Sequence, residues 1–308
     1  EGWGYPVVGT VDQQWGELTG RAVANWTPKL NFTDQTLIYG SYSHGYKAGG
    51  ANPPGAIFPS SVGGVSSVPQ LVQASHPLTF KPEFIDAFEL GTKNTLLDGA
   101  LTLNGNLFYY NYENYQISEI VDRTAINQNF DAHIKGAELE ATWEPLPGLR
   151  FNFGGGWEDT AVAKGESAID LMDRTAGTPG WYIVRPFVNE ASSCIFPTSV
   201  AKWIFTGSPV VSRNTISYCG YAYTLGLDPL TQQPFSAHAA PTNGNIPASQ
   251  YPGFDPATAP NGGAGFSKDL SGNKLPNAPP FTASLGAQYS MPLSSNWAGT
   301  LRADGYWQ

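Results

Sequence analysis

Two adjacent runs of alternating residues constrain the fold of this chain more than any other feature. Residues 137–144 read AELEATWE and residues 149–158 read LRFNFGGGWE, and PLPG at 145–148 joins them. Successive side chains of a strand point to opposite faces, so each run has one apolar face and one polar face. Such a hairpin either covers a soluble core or faces lipid, and the rest of the chain decides between the two.

The same alternation recurs along the chain and predicts a single all-β domain over residues 1–308. The predicted strands are 18–28, 35–46, 83–97, 100–117, 132–145, 149–160, 280–291 and 297–308. Short connections at 28–34, 97–99, 145–148 and 292–296 alternate with longer ones at 47–82, 118–131 and 161–278. Asp98-Gly99, in the second short connection, is a typical hairpin dipeptide.

Loop asymmetry and strand length together indicate a transmembrane antiparallel β-barrel. The predicted strands are longer than those of most soluble sheets. Short turns at one rim and long loops at the other are typical of outer-membrane barrels. A closed barrel also pairs every backbone polar group in lipid. The alternative, a soluble β-sandwich or an array of β-blades, explains neither the loop asymmetry nor the strand length.

Charge and hydropathy exclude two other classes of protein. The net charge of −9 offers no basic stripe for nucleic acid. No apolar run is long enough for a transmembrane helix.

Glu1 opens the chain without an apolar leader, and the final residues, 301–308, still alternate as a strand. We therefore expect a piece of a longer protein.

The two cysteines, Cys194 and Cys219, lie in the longest connection. A single pair in a loop indicates one disulfide and an oxidising compartment. The alternative is two buried thiols that are not bonded to each other.

Catalytic motifs are scarce, and neither an enzyme nor a cofactor nor a metal site is predicted. The four histidines are scattered, and HExxH and CxxC spacings are absent. Ser199 and Lys202 fit S-x-x-K, but the partner motifs are missing and no helix is expected there. Glu138 and Glu140 form either an acid pair or part of a charged lumen. The second interpretation predicts lumen-facing charges at Glu89, Lys93, Glu138, Glu140, Arg150 and Arg302.

The connection at 161–278 is rich in aromatic residues, which a disordered linker would lack. One interpretation is a ligand platform, in which rings stack on the ligand and arginines meet anionic groups. Its candidate residues are Trp181, Tyr182, Arg185, Trp203, Arg213, Tyr218, Tyr221 and Tyr223. The alternative is a loop that packs on itself.

Several segments, in order and at compatible spacing, resemble TonB-dependent outer-membrane receptors. They are YGSYSHGYKAGG at 39–50, KPE at 81–83, FELGTK at 88–93, LDGALTLN at 97–104, FYY at 108–110, IKGAELE at 134–140 and NAPP at 277–280. The resemblance covers about 35–160 and 277–308. It implies part of a barrel of about 22 strands whose lumen is filled by a separate plug domain.

The resemblance also implies a function, a location and partners. The protein would import a scarce bulky nutrient, most often a ferric siderophore, across the outer membrane of a Gram-negative bacterium. Long loops would be extracellular, outer-membrane lipid would surround the barrel, and a TonB-type energiser would act through the plug. The plug and the TonB box are not found in this sequence. The alternatives are a passive porin or small barrel, and an assembly or adhesion protein that docks a partner through 161–278.

Overall fold

A computed structural model describes residues 11–53, 57–58, 70–71, 77–121, 124–184, 193–206, 218–223 and 254–308. In these residues the strands β1 to β16 are Gly20–Trp26, Gln35–Lys47, Gly50–Ala51, Ile57–Phe58, Gln70–Leu71, Thr79–Phe80, Glu83–Leu96, Leu101–Val121, Thr124–Leu146, Leu149–Val162, Ser167–Ile169, Trp181–Val184, Cys194–Pro197, Ser267–Asp269, Phe281–Ser294 and Trp297–Trp307. The helices are α1 (Thr198–Thr206) and α2 (Tyr218–Tyr223), and two 3-10 turns span Pro256–Thr258 and Pro260–Gly263.

Eight long strands form one antiparallel sheet in the order β1-β2-β7-β8-β9-β10-β15-β16. Each strand pairs with the next long strand along the chain, so the sheet is an up-and-down meander. The short turns follow from local sequence: Asp98-Gly99 has positive φ at both residues, and Gly148 has φ of +83°. Both conformations suit a tight hairpin that reverses the chain between long strands.

The strand register places most of the large apolar side chains of the sheet on one face, called here the apolar face. Phe88 lies opposite Tyr109, Leu107 opposite Ala137, and Leu285 opposite Phe153. Phe88, Leu107 and Leu285 are 48%, 59% and 59% exposed. Such a continuous exposed apolar surface is typical of a wall that faces lipid. The residues between them form the opposite, polar face.

Strand β2, whose faces its sequence leaves ambiguous, follows the same rule. Ile38 and Tyr42 lie on the apolar face, where Tyr42 pairs with Phe88. Tyr39 and Ser41 lie on the polar face, opposite Gly91 and Glu89. The ring of Tyr39 occupies the space where a side chain at position 91 would begin, so this close approach requires the glycine.

The predicted connection at 118–131 is wrong over most of its length, because β8 runs to Val121 and β9 begins at Thr124. A β-bulge between Tyr112 and Tyr115 interrupts the register. Asn114 adopts φ of +56°, and its backbone N–H donates to Asp131 Oδ1 at 2.8 Å. Past the bulge both strands mix polar residues with apolar ones such as Ile117, Ile126 and Phe130, and the lack of strict alternation conceals the extension at the level of sequence.

Among the described residues, no helix has the length and the apolar character needed to cross a membrane.

Candidate ligand-binding surfaces

The six charges predicted to face a lumen all lie on the polar face of the sheet. They are Glu89, Lys93, Glu138, Glu140, Arg150 and Arg302. The Asn106 amide donates to the Glu138 carboxylate at 3.0 Å, and the Tyr110 hydroxyl donates to Glu89 at 3.2 Å. These hydrogen bonds satisfy the carboxylates across neighbouring strands. That this face lines a lumen stays a prediction.

The arginines of the polar face pair with Glu144 and Asp304 and not with Glu138 or Glu140. Arg150 Nε lies 3.6 Å from Glu144, and Arg302 makes two contacts of 2.8 and 2.9 Å with Asp304 on its own strand. In the described part of the chain, no ion pair joins Glu138 or Glu140 to a lysine or arginine. Both carboxylates are exposed on the polar face, beside a small cleft of about 170 Å³.

The insertion at 161–278 forms its own small fold where it is described. Strand β11 pairs with β14 next to the sheet, and β12 pairs with β13 further along the insertion. A disulfide joins Cys194 to Cys219 with a Cα–Cα distance of 5.7 Å, which links β13 to α2. The disulfide predicted from the sequence is therefore present.

Aromatic residues of the insertion fill its core. Phe196 is 0% exposed, and its ring centroid lies 5.7 Å from that of Phe254 and 5.3 Å from that of Tyr223. The Tyr223 hydroxyl donates to the Ile195 carbonyl, and burial raises the pKa of Tyr223 above its usual value. This buried, hydrogen-bonded tyrosine stabilises the core.

The candidate ligand residues of the insertion fall into three groups. Trp181 and Tyr223 pack against the core, and Trp181 also meets Phe266 at 5.5 Å. Tyr182 is 52% exposed and is the candidate whose ring is described at the surface. Trp203, Tyr218 and Tyr221 lie in α1 and α2. Their side chains, together with Arg185 and Arg213, lie outside the described residues.

Helix α1 carries Ser199 and Lys202, so the expectation that no helix holds this S-x-x-K pair is wrong. Val200 and Ala201 between them are 0% and 3% exposed and pack into the core of the insertion. Ser199 and Lys202 are on the exposed side. Tertiary packing of the two small apolar residues supports this short helix, which local sequence signals only weakly.

An ion cluster fastens the part of the insertion next to the sheet. Lys268 Nζ lies 2.9 Å from Asp170 and 3.0 Å from Asp173. Hydrogen bonds from the Lys268 ammonium hold the pKa of both carboxyls below the ordinary range, and the same hydrogen bonds raise the pKa of Lys268. Beside this cluster the guanidinium of Arg174, a residue 3% exposed, donates to the Ala264 carbonyl at 3.0 Å. These contacts hold the two ends of the insertion together.

Sequence reasoning missed two cavities on the apolar face of the eight-stranded sheet. The first, called here the polar cleft, has a volume of about 820 Å³ and is lined in part by Thr79, Lys81, Asn111, Asn129, Asp131 and His133. The second, called here the apolar groove, has about 770 Å³ and is lined in part by Ile38, Leu90, Leu107, Leu139 and Trp157. The odd-numbered residues from 127 to 135 are all polar, and this pattern could have indicated the polar cleft from the sequence.

Within the described ranges, no three His, Cys, Asp or Glu side chains are grouped in a way that could hold a metal ion.

An antiparallel wall with an apolar face toward lipid and a polar face behind it defines a transmembrane β-barrel segment. The chain belongs to the family described as TonB dependent receptor-like, beta-barrel, whose sequence profile matches residues 3–220. This family consists of transport receptors of the Gram-negative outer membrane and is not an enzyme class.

Solved structures with a similar fold are much longer than this chain. The ferric yersiniabactin uptake receptor FyuA from Yersinia pestis is 15% identical, with a TM-score of 0.41 over 92% of this chain and 24% of its own length. The siderophore receptor PiuA from Acinetobacter baumannii is 16% identical, with a TM-score of 0.39 over 88% of this chain and 23% of its own length. A comparison with curated proteins gives no match. The chain thus spans about a quarter of the length of these receptors.

Proposed function

We propose that this chain is part of an outer-membrane active-transport receptor that imports a scarce bulky nutrient, with a ferric siderophore as the first cargo to test. The observation that carries the proposal is the family match over residues 3–220. The two-faced sheet supports it, because a lipid-facing wall with a polar inner surface is what a large transport barrel requires. Ferric siderophores come first because they are the usual cargo of this family.

In this proposal the chain supplies two surfaces to the receptor. The polar face lines the lumen beside the plug, with Glu138 and Glu140 exposed toward it. The connections at 47–82 and 161–278 lie on the extracellular side and receive the cargo. The energy for release comes from a TonB-type energiser that acts on the plug, so no covalent step is required of these residues.

In the same proposal the insertion contributes ligand contacts through Tyr182, Arg185 and Arg213. Tyr182 lies on β12 between Trp181, which packs inward, and Ile183, and it presents its ring at 52% exposure. The disulfide and the Phe196 core hold this hairpin rigid, which lowers the entropy lost on binding. Arg185 and Arg213 are proposed to meet anionic groups of the cargo.

Uptake of iron chelates tests the function. We would delete the gene of the full-length protein in its native bacterium and measure uptake of radioactive iron bound to a catecholate or a hydroxamate chelator under iron limitation. We expect uptake of one chelate to be lost and to return with the wild-type gene. A protonophore should stop uptake in the complemented strain. Uptake that persists with the protonophore would indicate a passive porin. Equal uptake of both chelates with and without the gene would exclude these cargoes.

Tyr182→Ala, with Tyr182→Phe as its matched control, tests the ligand surface. Loss of the ring should weaken binding of the transported chelate to the purified full-length receptor by roughly tenfold at most, while the phenylalanine variant keeps most of the stacking. Tryptophan fluorescence quenching measures the Kd. Equal affinity of both variants and the wild type would remove Tyr182 from the binding surface.

A further inference from the structure

A stacked pair of aromatic rings lies on the polar face of the sheet, on strand β8. The ring centroids of Phe108 and Tyr110 are 4.9 Å apart, and their planes differ by 25°. Both residues lie on the face opposite to Leu107 and Tyr109, because side chains alternate along a strand. The Tyr110 hydroxyl donates to the Glu89 carboxylate at 3.2 Å. Each ring keeps part of its surface exposed on this face.

Two carboxylates flank the pair in one row across four strands. Glu89 on β7 lies opposite Phe108, and Gly136 on β9 lies opposite Glu158 on β10. Phe108 and Gly136 are paired across β8 and β9. Because neighbouring strands are about 4.8 Å apart, the backbones of Glu89 and Glu158 are about 14 Å apart. The row therefore places an aromatic ring between two carboxylates.

A third carboxylate comes from the next position on the same face of β9. The Phe108 ring lies over Gly136, at the position that a side chain there would occupy. Glu138 follows Gly136 on this face, about 7 Å along the strand. Its Oε2 accepts from the Asn106 amide at 3.0 Å. Carboxylates of three strands thus surround the Phe108 ring.

No lysine or arginine of the sheet neutralises these carboxylates. In the ranges that the structure covers, Glu89 and Glu138 accept hydrogen bonds from neutral groups, and the Glu158 side chain has no hydrogen-bond or ion-pair partner. Lys93 is four residues from Glu89 on β7, about 13 Å along the strand. The row therefore carries negative charge that a bound cation would compensate.

The row lies at the level where the opposite, apolar face of the sheet ends. On either side of it, the apolar face changes from Ala137 to Lys135 along β9 and from Trp157 to Asp159 along β10. Lys135 Nζ lies 3.3 Å from Asp159, so an exposed ion pair replaces apolar side chains there. In the proposed receptor this level is the side of the long connections, where cargo arrives.

We infer that the Phe108 ring, with Glu89, Glu138 and Glu158, binds a cation, and that the imported chelate carries the organic ammonium group that occupies this site. The inference rests on the proposed function and narrows its cargo. An ammonium group is attracted to the face of an aromatic ring, and carboxylates accept its hydrogen bonds. The same carboxylates disfavour a ferric tricatecholate, which is an anion. Binding requires no covalent step.

Two chelates that differ in one charge test the inference. Ferrioxamine B is a ferric trihydroxamate with a terminal ammonium group, and acetylation of that amine gives a neutral chelate with the same iron centre. Tryptophan fluorescence quenching of the purified full-length receptor measures the Kd of each. We expect the charged chelate to bind roughly tenfold more tightly at low salt. This preference should shrink at high salt, because part of it is charge attraction.

Single substitutions assign the preference to the row. Glu158→Gln removes one charge, keeps the size of the side chain and breaks no contact of the described fold. Phe108→Leu removes the ring. We expect each variant to bind ferrioxamine B several-fold more weakly and to bind the acetylated chelate like the wild type.

Glu144→Gln is the matched control. It removes the same charge from the same face near the short turns, about 26 Å from Gly136 along β9. It should keep the wild-type preference for the charged chelate. The heat-dependent mobility shift of the folded barrel verifies that every variant assembles.

Three results would overturn the inference. Equal affinity of both chelates for the wild type would mean that a cation of the plug already neutralises the row. Failure of ferrioxamine B to bind would exclude the ammonium as the recognised group. An equal loss of preference in Glu144→Gln and Glu158→Gln would show that only the total charge of the face matters.

Binding and iron uptake separate this inference from the proposed function. Gene-dependent uptake of another chelate, without a preference for the charged ferrioxamine, would leave the function and remove the cation site. A preference for the charged chelate, without gene-dependent iron uptake, would leave the cation site and remove the function.

Discussion

The sheet and the insertion place their aromatic and aliphatic side chains in opposite environments. On the sheet, Leu90 and Leu107 are 58% and 59% exposed, whereas in the insertion Phe196 and Val200 are 0% exposed. The sheet needs lipid as its solvent, because the large side chains of its apolar face are exposed in the part of the chain that the structure describes. The insertion behaves like a small water-soluble domain with a core and a disulfide. The two regions therefore lie in different solvents. We expect substitutions in the sheet to act on membrane assembly and substitutions in the insertion to act on its own core.

The largest expected effect comes from a charge on the apolar face. Leu139→Arg or Leu285→Arg places a cation against the bilayer midplane at a cost of about 2–4 kcal/mol. We expect each variant to be lost from the outer membrane, as measured by the heat-dependent mobility shift of the folded barrel. Glu140→Arg, one residue away on the polar face, is the control and should assemble. Normal assembly of both leucine variants would contradict the assignment of faces.

The second-largest effect is expected from the loss of a buried aromatic ring in the insertion. Phe196→Ala removes the centre of its core at a cost of about 3–5 kcal/mol to that small fold. We expect the insertion to become sensitive to protease while the barrel still assembles, because the sheet does not pack on this core. Protease digestion of whole cells, followed by detection of the barrel fragment, measures both. Simultaneous loss of the barrel would show that the two regions fold as one unit.

Removal of the disulfide should act only on the insertion. The 25-residue separation of Cys194 and Cys219 corresponds to about 3.5 kcal/mol of loop-closure entropy in the chain-entropy description. Cys194→Ser with Cys219→Ser should increase the rate of proteolysis within 181–223 and leave barrel assembly unchanged. An unchanged proteolysis rate would mean that the Phe196 core holds the insertion without the bond.

The smallest effect is a dependence on pH in the part of the insertion next to the sheet. Lys268 lowers the pKa of Asp170 and Asp173, so their contribution to stability is complete above the unfolded pKa of about 3.9 and is lost as pH falls through the lower folded values. The hydrogen-exchange protection of 167–173, corrected for the intrinsic rate at each pH, should therefore fall below about pH 4. Lys268→Gln should remove most of this fall, and an equal fall in that variant would exclude the ion cluster as its cause.

Much of the wall was predictable because its signal is local. Alternation at 137–144 and at 149–158 places Leu139 and Phe153 on one face without any knowledge of partners, and Asp98-Gly99 predicts its own turn. The β8–β9 extension was not predictable, because 118–131 has no strict alternation, and its buried residues Ile126 and Phe130 are separated by polar ones. The bulge at Asn114 depends on the Asp131 carboxylate of the neighbouring strand, and no local pattern shows that contact.

The candidate site was predictable only in part. An aromatic-rich insertion and its disulfide follow from composition and from the cysteine pair. Which of its aromatic rings are buried does not follow from composition. Trp181 and Tyr182 are adjacent in sequence, and only the packing of β12 places Trp181 against the core and Tyr182 at the surface. The polar cleft was missed because Thr79 and Asn111 come together only when the 77–82 segment crosses β9.

The sequence by itself determined that this chain spans a membrane with two-faced strands, since a period of two needs only neighbouring residues to specify it. It also determined the family, through motifs in a fixed order. Tertiary structure alone decided which aromatic residues are buried and that a cleft and a groove share one face. Those features join residues that are far apart in the chain, and only the register of the strands and the crossing of a loop bring them together.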